Sequence, residues 1–243
     1  MEQQPDHVRE ADQTAQAPTL LALETSTVAC SVALSNRGVI HEDHRIVPRQ
    51  HNRLILPMID ALMRSYEIDK RSLDGIAFGR GPGSFTGVRI AASIAQGISL
   101  GIAVPVVPVS SLAALAQTAL AMRRNVQRVL ATIRSRPDEI YYGVYVRNGD
   151  RAELSGDERI ATVADRTLPP GVDSTCWVIG DGVLHYAEAA AELGCAVDAT
   201  LLPSAHGVLQ LALHAFARGD VVDTAAALPV YLQGTRPWRK LAE

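Results

Sequence analysis

A glycine-rich stretch in the first half of the chain is the segment best suited to chemistry. Its nine residues contain four glycines: Gly79, Gly81, Gly83 and Gly87. Glycine lets the backbone adopt positive φ or approach another group closely, and a helix that follows presents unpaired N–H groups, so such a loop can hold a phosphate. The spacing matches neither the Walker A loop nor the dinucleotide fingerprint. The alternative is a tight strand-to-helix connection in which Ser84 or Thr86 caps the helix.

The residue types needed for nucleophilic catalysis are present, but their spacing does not enforce a site. Ser84, His51 and Asp74 supply a hydroxyl, a base and a carboxylate, yet no G-x-S-x-G elbow surrounds the serine. We therefore interpret Ser84 as a helix cap. An independent hydrolase, either an ATPase or a peptidase, is the alternative function.

The metal-ligating side chains favour no metal site. His41 and His44 are three residues apart on a predicted strand, where an exposed polar edge is the simpler interpretation. The three cysteines, Cys30, Cys176 and Cys195, have no C-x-x-C spacing, which predicts neither a zinc ribbon nor a disulfide framework. Reduced thiols are typical of a cytoplasmic protein.

The charge distribution argues against a protein that binds nucleic acid through bulk positive charge. The formal net charge is -3, and residues 1–17 hold four of the 26 acidic and one of the 23 basic residues, so the remainder is neutral with 22 of each. The sequence contains no uninterrupted run of 18 apolar residues, and its acidic start differs from a signal peptide. We expect a cytoplasmic protein without a membrane partner.

Hydrophobic patterning in the first half predicts the elements that position the glycine-rich stretch. A short apolar run at 19–23 suits a buried strand, and the partly alternating run at 29–34 suits its return strand. The predicted order is βββαβαβα, with strands at 19–23, 29–34, 39–46, 74–78 and 104–109, and helices at 50–66, 91–101 and 110–122.

The second half repeats these kinds of element in a weaker pattern. It contains predicted strands at 126–133, 139–147 and 176–180, helices at 183–193 and 207–217, and an extended piece at 228–232. We predict two similar α/β lobes, at 19–110 and 111–243. Residues 1–18 carry almost no large apolar side chains, so we expect a disordered extension whose deletion the protein tolerates.

Several stretches together resemble the TsaB (YeaZ) family. They are residues 23–26, 29–34, 50–51, 56–57 and 229–232 and, above all, the run Phe78, Gly79, Arg80, Gly81, Pro82, Gly83, Ser84, Phe85, Thr86, Gly87, Val88 and Arg89. The resemblance is dense through residue 117 and sparse after it. It implies an α/β fold with two lobes, of the actin-like ATPase (ribonuclease H-like) class.

The resemblance also implies a role in forming N6-threonylcarbamoyladenosine in tRNAs that read codons beginning with A. Members of the family are understood as non-catalytic partners of their paralogue TsaD, which transfers the threonylcarbamoyl group, and the small ATPase TsaE binds the pair. This implies no catalytic residue and no cofactor in this chain, and an indirect relation to tRNA. Where the catalytic paralogue holds a metal through two histidines, this chain has Ser111 and Leu115, and leucine cannot ligate a metal.

The turn of the first hairpin, formed by Glu24, Thr25 and Ser26, is where actin-like ATPases hold phosphate. Family members commonly have aspartate at this glutamate, whose extra methylene displaces a magnesium-directed oxygen by about 1 Å. We therefore expect weak or absent nucleotide binding. The chain also departs from the family pattern in the second lobe, at Arg134 to Arg136 and at Gln233 and Gly234.

The two first-lobe helices are understood in this family to pair with the same helices of a partner. The first helix carries more than one apolar stripe, and the second is rich in small residues that let helix backbones approach closely. We expect the contact, whether with TsaD or in a weaker homodimer, at Ile55, Ile59, Leu62, Tyr66, Ala91, Ala92, Ala95 and Ser99. Arg80 and Arg89 would meet tRNA phosphate or a partner carboxylate, or pair locally.

Overall fold

The computed structural model of the chain describes residues 17–162, 164–165 and 167–232. Residues 1–16 of the predicted N-terminal extension lie outside the described residues, and so do Gln233 and Gly234.

The first sheet is mixed, and its central strands are buried on both faces. Its strands are β1 (Leu20–Glu24), β2 (Ala29–Asn36), β3 (Val39–Ile46), β4 (Gly75–Gly79) and β5 (Val106–Val109). They lie in the order β3-β2-β1-β4-β5, with β1 antiparallel to β2 and parallel to β4. Every residue of β1 and β4 is buried, as their continuous apolar runs require.

Two helices cover one face of the first sheet. They are α1 (His51–Ser65) and α2 (Phe85–Ile102). Their buried side chains join those of β1, β2 and β4 in one core, which includes Leu23, Val32 and Phe78. Burial of such side chains is the main source of stability of the lobe.

The second sheet begins after α3 (Ser111–Met122). Its six strands and the remaining helices are β6 (Arg128–Arg134), β7 (Glu139–Asn148), β8 (Arg151–Leu154), β9 (Arg159–Thr162), β10 (Trp177–Ile179), α4 (Ala187–Leu193), β11 (Ala196–Asp198) and α5 (Ala205–Ala217). The order is β11-β10-β6-β7-β8, and β9 also pairs with β7. Leu112, Leu115 and Leu120 of α3 pack in the core of this sheet.

The last helix crosses back to the first sheet. Ala205, Val208 and Leu209 of α5 share a core with Leu20 and Ala22 of β1 on the face opposite α1 and α2. The division into lobes after residue 110 remains a prediction. It assigns α5 to the second lobe, but this helix packs on the first sheet. The hydrophobic pattern of one helix cannot predict this packing, because it shows which side of the helix is buried but not which sheet the helix packs against.

The structure corrects several predicted elements. Helix α2 begins at Phe85 rather than at residue 91, because Ser84 caps it and accepts a hydrogen bond from the Gly87 N–H. The predicted helix at 183–193 is a 3₁₀ turn followed by the short α4. The short strands β8, β9 and β11 escaped prediction, since three or four residues carry little periodicity.

The order from β1 to α3 is the predicted βββαβαβα. An antiparallel meander of three strands, followed by two parallel strands that helices connect, is the first-lobe topology of the ribonuclease H-like class. The α/β fold with two lobes of the actin-like ATPase class, which the resemblance implied, is thereby confirmed.

Candidate functional site

The glycine-rich loop, residues 79–87, packs directly against the turn between β1 and β2. The Ser84 N–H donates to the Ser26 carbonyl at 2.7 Å, and the Thr25 hydroxyl donates to the Gly87 carbonyl at 2.7 Å. A Cβ at Gly87 would lie 2.0 Å from the Thr25 carbonyl oxygen, and one at Gly83 would lie 2.5 Å from the Cβ of Ser26. These glycines are therefore required by close backbone packing inside the lobe.

The side chain of Glu24, at the start of the same turn, is buried. Its carboxylate is 1% exposed and accepts hydrogen bonds from the Ser26 N–H at 2.6 Å and from the Ser111 hydroxyl at 2.8 Å. A Cβ at Gly79 would lie 1.9 Å from Glu24 Oε2, so Gly79 makes room for it. Burial raises the pKa of Glu24, although the bonds from Ser26 and Ser111 act in the opposite direction. The side chain thus links the first turn to the start of α3.

The cleft between the lobes has a volume of about 980 Å³, and two of the residue types needed for nucleophilic catalysis line it. His51 Nε2 lies 3.0 Å from the Ala29 carbonyl, and Ser84 Oγ accepts from the Gly87 N–H. The carboxylate of Asp74 accepts from the Thr19 N–H at 2.8 Å instead. Among the described residues no hydrogen bond joins these three side chains, so they form no triad.

The described residues contain no group of three or more His, Cys, Asp or Glu side chains that could hold a metal ion. Ser111 binds Glu24, and Leu115 is buried in the second-lobe core. The imidazole of His41 stacks on the Tyr66 ring with centroids 3.5 Å apart.

Seven of the eight residues predicted for the partner contact face the core of their own lobe, and for these seven the assignment is corrected. Tyr66 is exposed, whereas the other seven are buried: Ile55, Ile59, Leu62, Ala91, Ala92, Ala95 and Ser99. All but Ser99 pack in the core beneath α1 and α2, and the Ser99 hydroxyl donates to the Val104 carbonyl at 2.6 Å. The predicted stripe is the one that docks these helices on the sheet.

The side of these helices that faces solvent carries a second apolar and small-residue surface, which we call the outer face. It consists of Leu56, Pro57 and Ala61 on α1, and Phe85, Arg89, Ser93, Gly97, Leu100 and Gly101 on α2, all exposed. The exposed ion pair of Asp60 and Arg64 lies beside Leu56 on α1. Leu56 is 54% exposed and Leu100 is 76% exposed. A Cβ at Gly97 or Gly101 would meet no atom within 4 Å, so packing within the described chain does not require these two glycines.

Helix α2 is apolar over its whole length. By length and composition alone this helix could cross a membrane, with a mean hydropathy of 1.3, and 33% of it is buried. Its buried residues pack on the first sheet. Four isoleucines, Ile90, Ile94, Ile98 and Ile102, are partly buried against the same core, whereas Phe85 and Leu100 are exposed.

A C-terminal strap, residues 222–232, runs along one flank of α2 in the opposite direction. The Thr224 and Ser99 hydroxyls are 2.6 Å apart, Gln96 Nε2 donates to the Ala227 carbonyl at 3.1 Å, and Arg89 Nε donates to the Tyr231 hydroxyl at 2.8 Å. The resemblance at 229–232 marked this segment as part of the family pattern, but it did not predict that the segment packs along α2.

Arg80 and Arg89 occupy different surroundings. The backbone of Arg80 is held between the Val109 carbonyl and the Val230 N–H, both at 2.8 Å, and its Nε is buried. Its side chain lies near a polar cluster in which Ser110 and Tyr145 both donate to the Glu158 carboxylate. Burial, followed by the charge of Glu158, raises the pKa of Tyr145. Arg89, by contrast, faces solvent.

Comparison with known proteins gives consistent results. Residues 28–201 match the family model described as TsaD, tRNA N6-adenosine threonylcarbamoyltransferase. The tRNA threonylcarbamoyladenosine biosynthesis protein TsaB of Escherichia coli K12 is 37% identical over 228 residues, which are 91% of this chain and 97% of that protein. TsaB of Haemophilus influenzae is 34% identical over 231 residues, 92% of this chain and 97% of that protein.

Two solved structures from Pseudomonas aeruginosa are also similar. YeaZ has a TM-score of 0.82 and 42% identity, covering 88% of this chain and 100% of that chain. A protein described as uncharacterized, with similarity to peptidase YeaZ, has a TM-score of 0.83 and 41% identity, covering 89% and 100%.

The mixed first sheet, the glycine loop closed on the first turn and the second sheet define a protein of the actin-like class that matches the TsaD family model. Relatives named TsaB match over nearly their whole length. The chain belongs to the TsaB family.

Proposed function

We propose that the chain is a non-catalytic, cytoplasmic subunit of the machinery that forms N6-threonylcarbamoyladenosine in tRNA. It acts by binding a TsaD-type transferase, and a TsaE-type ATPase joins the pair. The assignment to this pathway is supported by relatives named TsaB, which match this chain over 97% of their own length.

The outer face is the single observation that carries the binding role. Gly97 and Gly101 are open to solvent and four residues apart, so a partner helix can approach the backbone of α2 closely there. Leu56 and Leu100 add exposed apolar area that the chain itself does not cover. A homodimer would compete for the same surface.

The geometry of the first turn supports a non-catalytic role. Glu24 directs its oxygens to Ser26 and Ser111, and the glycine loop is closed on the turn by direct backbone contact. A nucleotide phosphate or a magnesium ion at this turn would have to displace those contacts, so the isolated chain should bind ATP weakly or not at all. Micromolar affinity for ATP in an isothermal titration of the pure chain would contradict this.

A binding experiment tests the outer face. In a titration with the TsaD-type partner, Gly97→Leu and Leu56→Asp should each weaken affinity by more than about tenfold, because they place bulk or charge in a close apolar contact. The matched control is Leu184→Asp, which changes an apolar side chain that is 69% exposed in the second lobe. Unchanged affinity of both outer-face variants, with native circular dichroism, would place the contact elsewhere.

A further inference from the structure

An exposed cluster at the first turns of α2 holds one arginine side chain in a fixed position. The guanidinium carbon of Arg89 lies 3.7 Å from the centroid of the Phe85 ring and 5.7 Å from that of Tyr231. Arg89 Nε donates to the Tyr231 hydroxyl at 2.8 Å. Phe85 is 49% exposed and Tyr231 is 45% exposed, so the aromatic contacts of this cluster, which we call the arginine clamp, form at the surface.

The terminal nitrogens of Arg89 are left for a ligand. In the part of the chain that the structure describes, no carboxylate lies within ion-pair distance of this guanidinium, whereas Arg45, Arg64 and Arg218 each have one. A guanidinium is a planar fork that binds a carboxylate through two parallel hydrogen bonds. Because the clamp orients the fork in advance, less side-chain freedom is lost on binding.

The surroundings of the arginine clamp favour a protein over a nucleic acid as its ligand. Phe85, Arg89, Ser93, Gly97 and Gly101 follow one another at four-residue spacing and are all exposed, so the clamp continues the outer face. Among the residues of α2, Arg89 is the one that carries a charge. Arg49 and Arg134 line the cleft together with Phe85, but α2 itself presents a single arginine among aromatic and apolar residues. That arrangement is typical of a protein contact, whereas a phosphate backbone is normally met by several cations.

We propose that Arg89, held by Phe85 and Tyr231, binds an aspartate or glutamate carboxylate of the protein partner that docks on the outer face. This inference rests on the proposed function and specifies the partner's chemistry at one end of the contact. Tyr231 is then a positioning residue, because its hydroxyl holds Arg89 in place. The contact with the partner therefore requires that the strap stay docked along α2.

The test compares affinities of the full chain for its TsaD-type partner. Arg89→Gln should weaken binding by about tenfold or more, and Arg89→Lys should recover only part of the loss, since a lysine lacks the fork. Arg124→Gln, an exposed arginine beyond α3, is the matched control and should bind like the wild type. Tyr231→Phe should weaken binding in the wild-type background and have no further effect beside Arg89→Gln.

The outcomes separate this inference from the proposed function. If the wild-type chain binds and Gly97→Leu does not, while Arg89→Gln binds normally, the outer face stands and the arginine clamp is wrong. If Arg89→Gln lowers affinity for tRNA but not for the protein partner, the clamp contacts phosphate and this inference is overturned. If the wild-type chain does not bind the partner, both fall.

Discussion

Single glycines in this chain differ in what surrounds them, and this difference predicts opposite effects of the same substitution. Gly87→Ala should lower the free energy of unfolding by about 3 kcal/mol, because its Cβ would lie 2.0 Å from the Thr25 carbonyl oxygen. Gly97→Ala should raise it by up to about 1 kcal/mol, because its Cβ meets no atom within 4 Å and alanine favours helix. Urea unfolding of both variants checks this, and a stable Gly87→Ala would contradict the close packing of the loop.

A second effect at the residue scale is the pH dependence that Glu24 produces. Burial raises the pKa of its carboxyl above 4.5. A carboxyl whose pKa is higher in the folded chain than in the unfolded chain stabilises the fold while it is protonated. This stabilisation is complete at pH values below the unfolded-state pKa, and it is lost as the pH rises through the folded-state pKa. The free energy of unfolding of the wild type minus that of Glu24→Gln should therefore fall as the pH rises above about 4, the pKa of the carboxyl in the unfolded chain. Glu192→Gln, at an exposed site, is the control; a difference for Glu24→Gln that grows with pH would contradict the sign.

At the scale of elements, α1 has one apolar side that is buried and another that is exposed. Ile59, which is 7% exposed, packs in the core of the first lobe, so Ile59→Ala should cost about 2–4 kcal/mol of stability. Leu56→Ala should change stability by less than about 0.5 kcal/mol, because its side chain is exposed, and should lower affinity for the partner. Thermal unfolding together with a binding titration distinguishes the two, and equal stability losses would contradict the assignment of the sides.

The sequence predicted the existence of α1 and α2 but not which of their sides is buried. The pattern around Ile55 and Leu56 contains two stripes, and periodicity does not distinguish the stripe that docks on the sheet from the stripe that stays exposed. Ser84 was predictable as a cap, since a serine before an apolar helix has a local role. The glycines of the loop were ambiguous, because close backbone packing and phosphate binding require the same residue type.

At the scale of the whole molecule, contacts between distant segments hold the two sheets together. Helix α5 covers the first sheet although it follows the second in sequence, and Glu158 of the β8–β9 loop accepts from Ser110, which precedes α3. The strap likewise returns to α2 from the far end of the described chain. None of these placements was predictable, because each depends on partners about 48 to 185 residues away, beyond the range of local patterns.

The central claim is that the chain supports tRNA modification by binding a TsaD-type transferase and not by catalysis of its own. The most direct measurement is the yield of N6-threonylcarbamoyladenosine in a mixture of this chain, the transferase, the TsaE-type ATPase and the enzyme that makes threonylcarbamoyl-adenylate, with each omitted in turn. We predict full modification in the complete mixture, loss when this chain is omitted or replaced by Gly97→Leu, and none when it replaces the transferase. Modification by this chain without the transferase, or undiminished modification in its absence, would contradict the account.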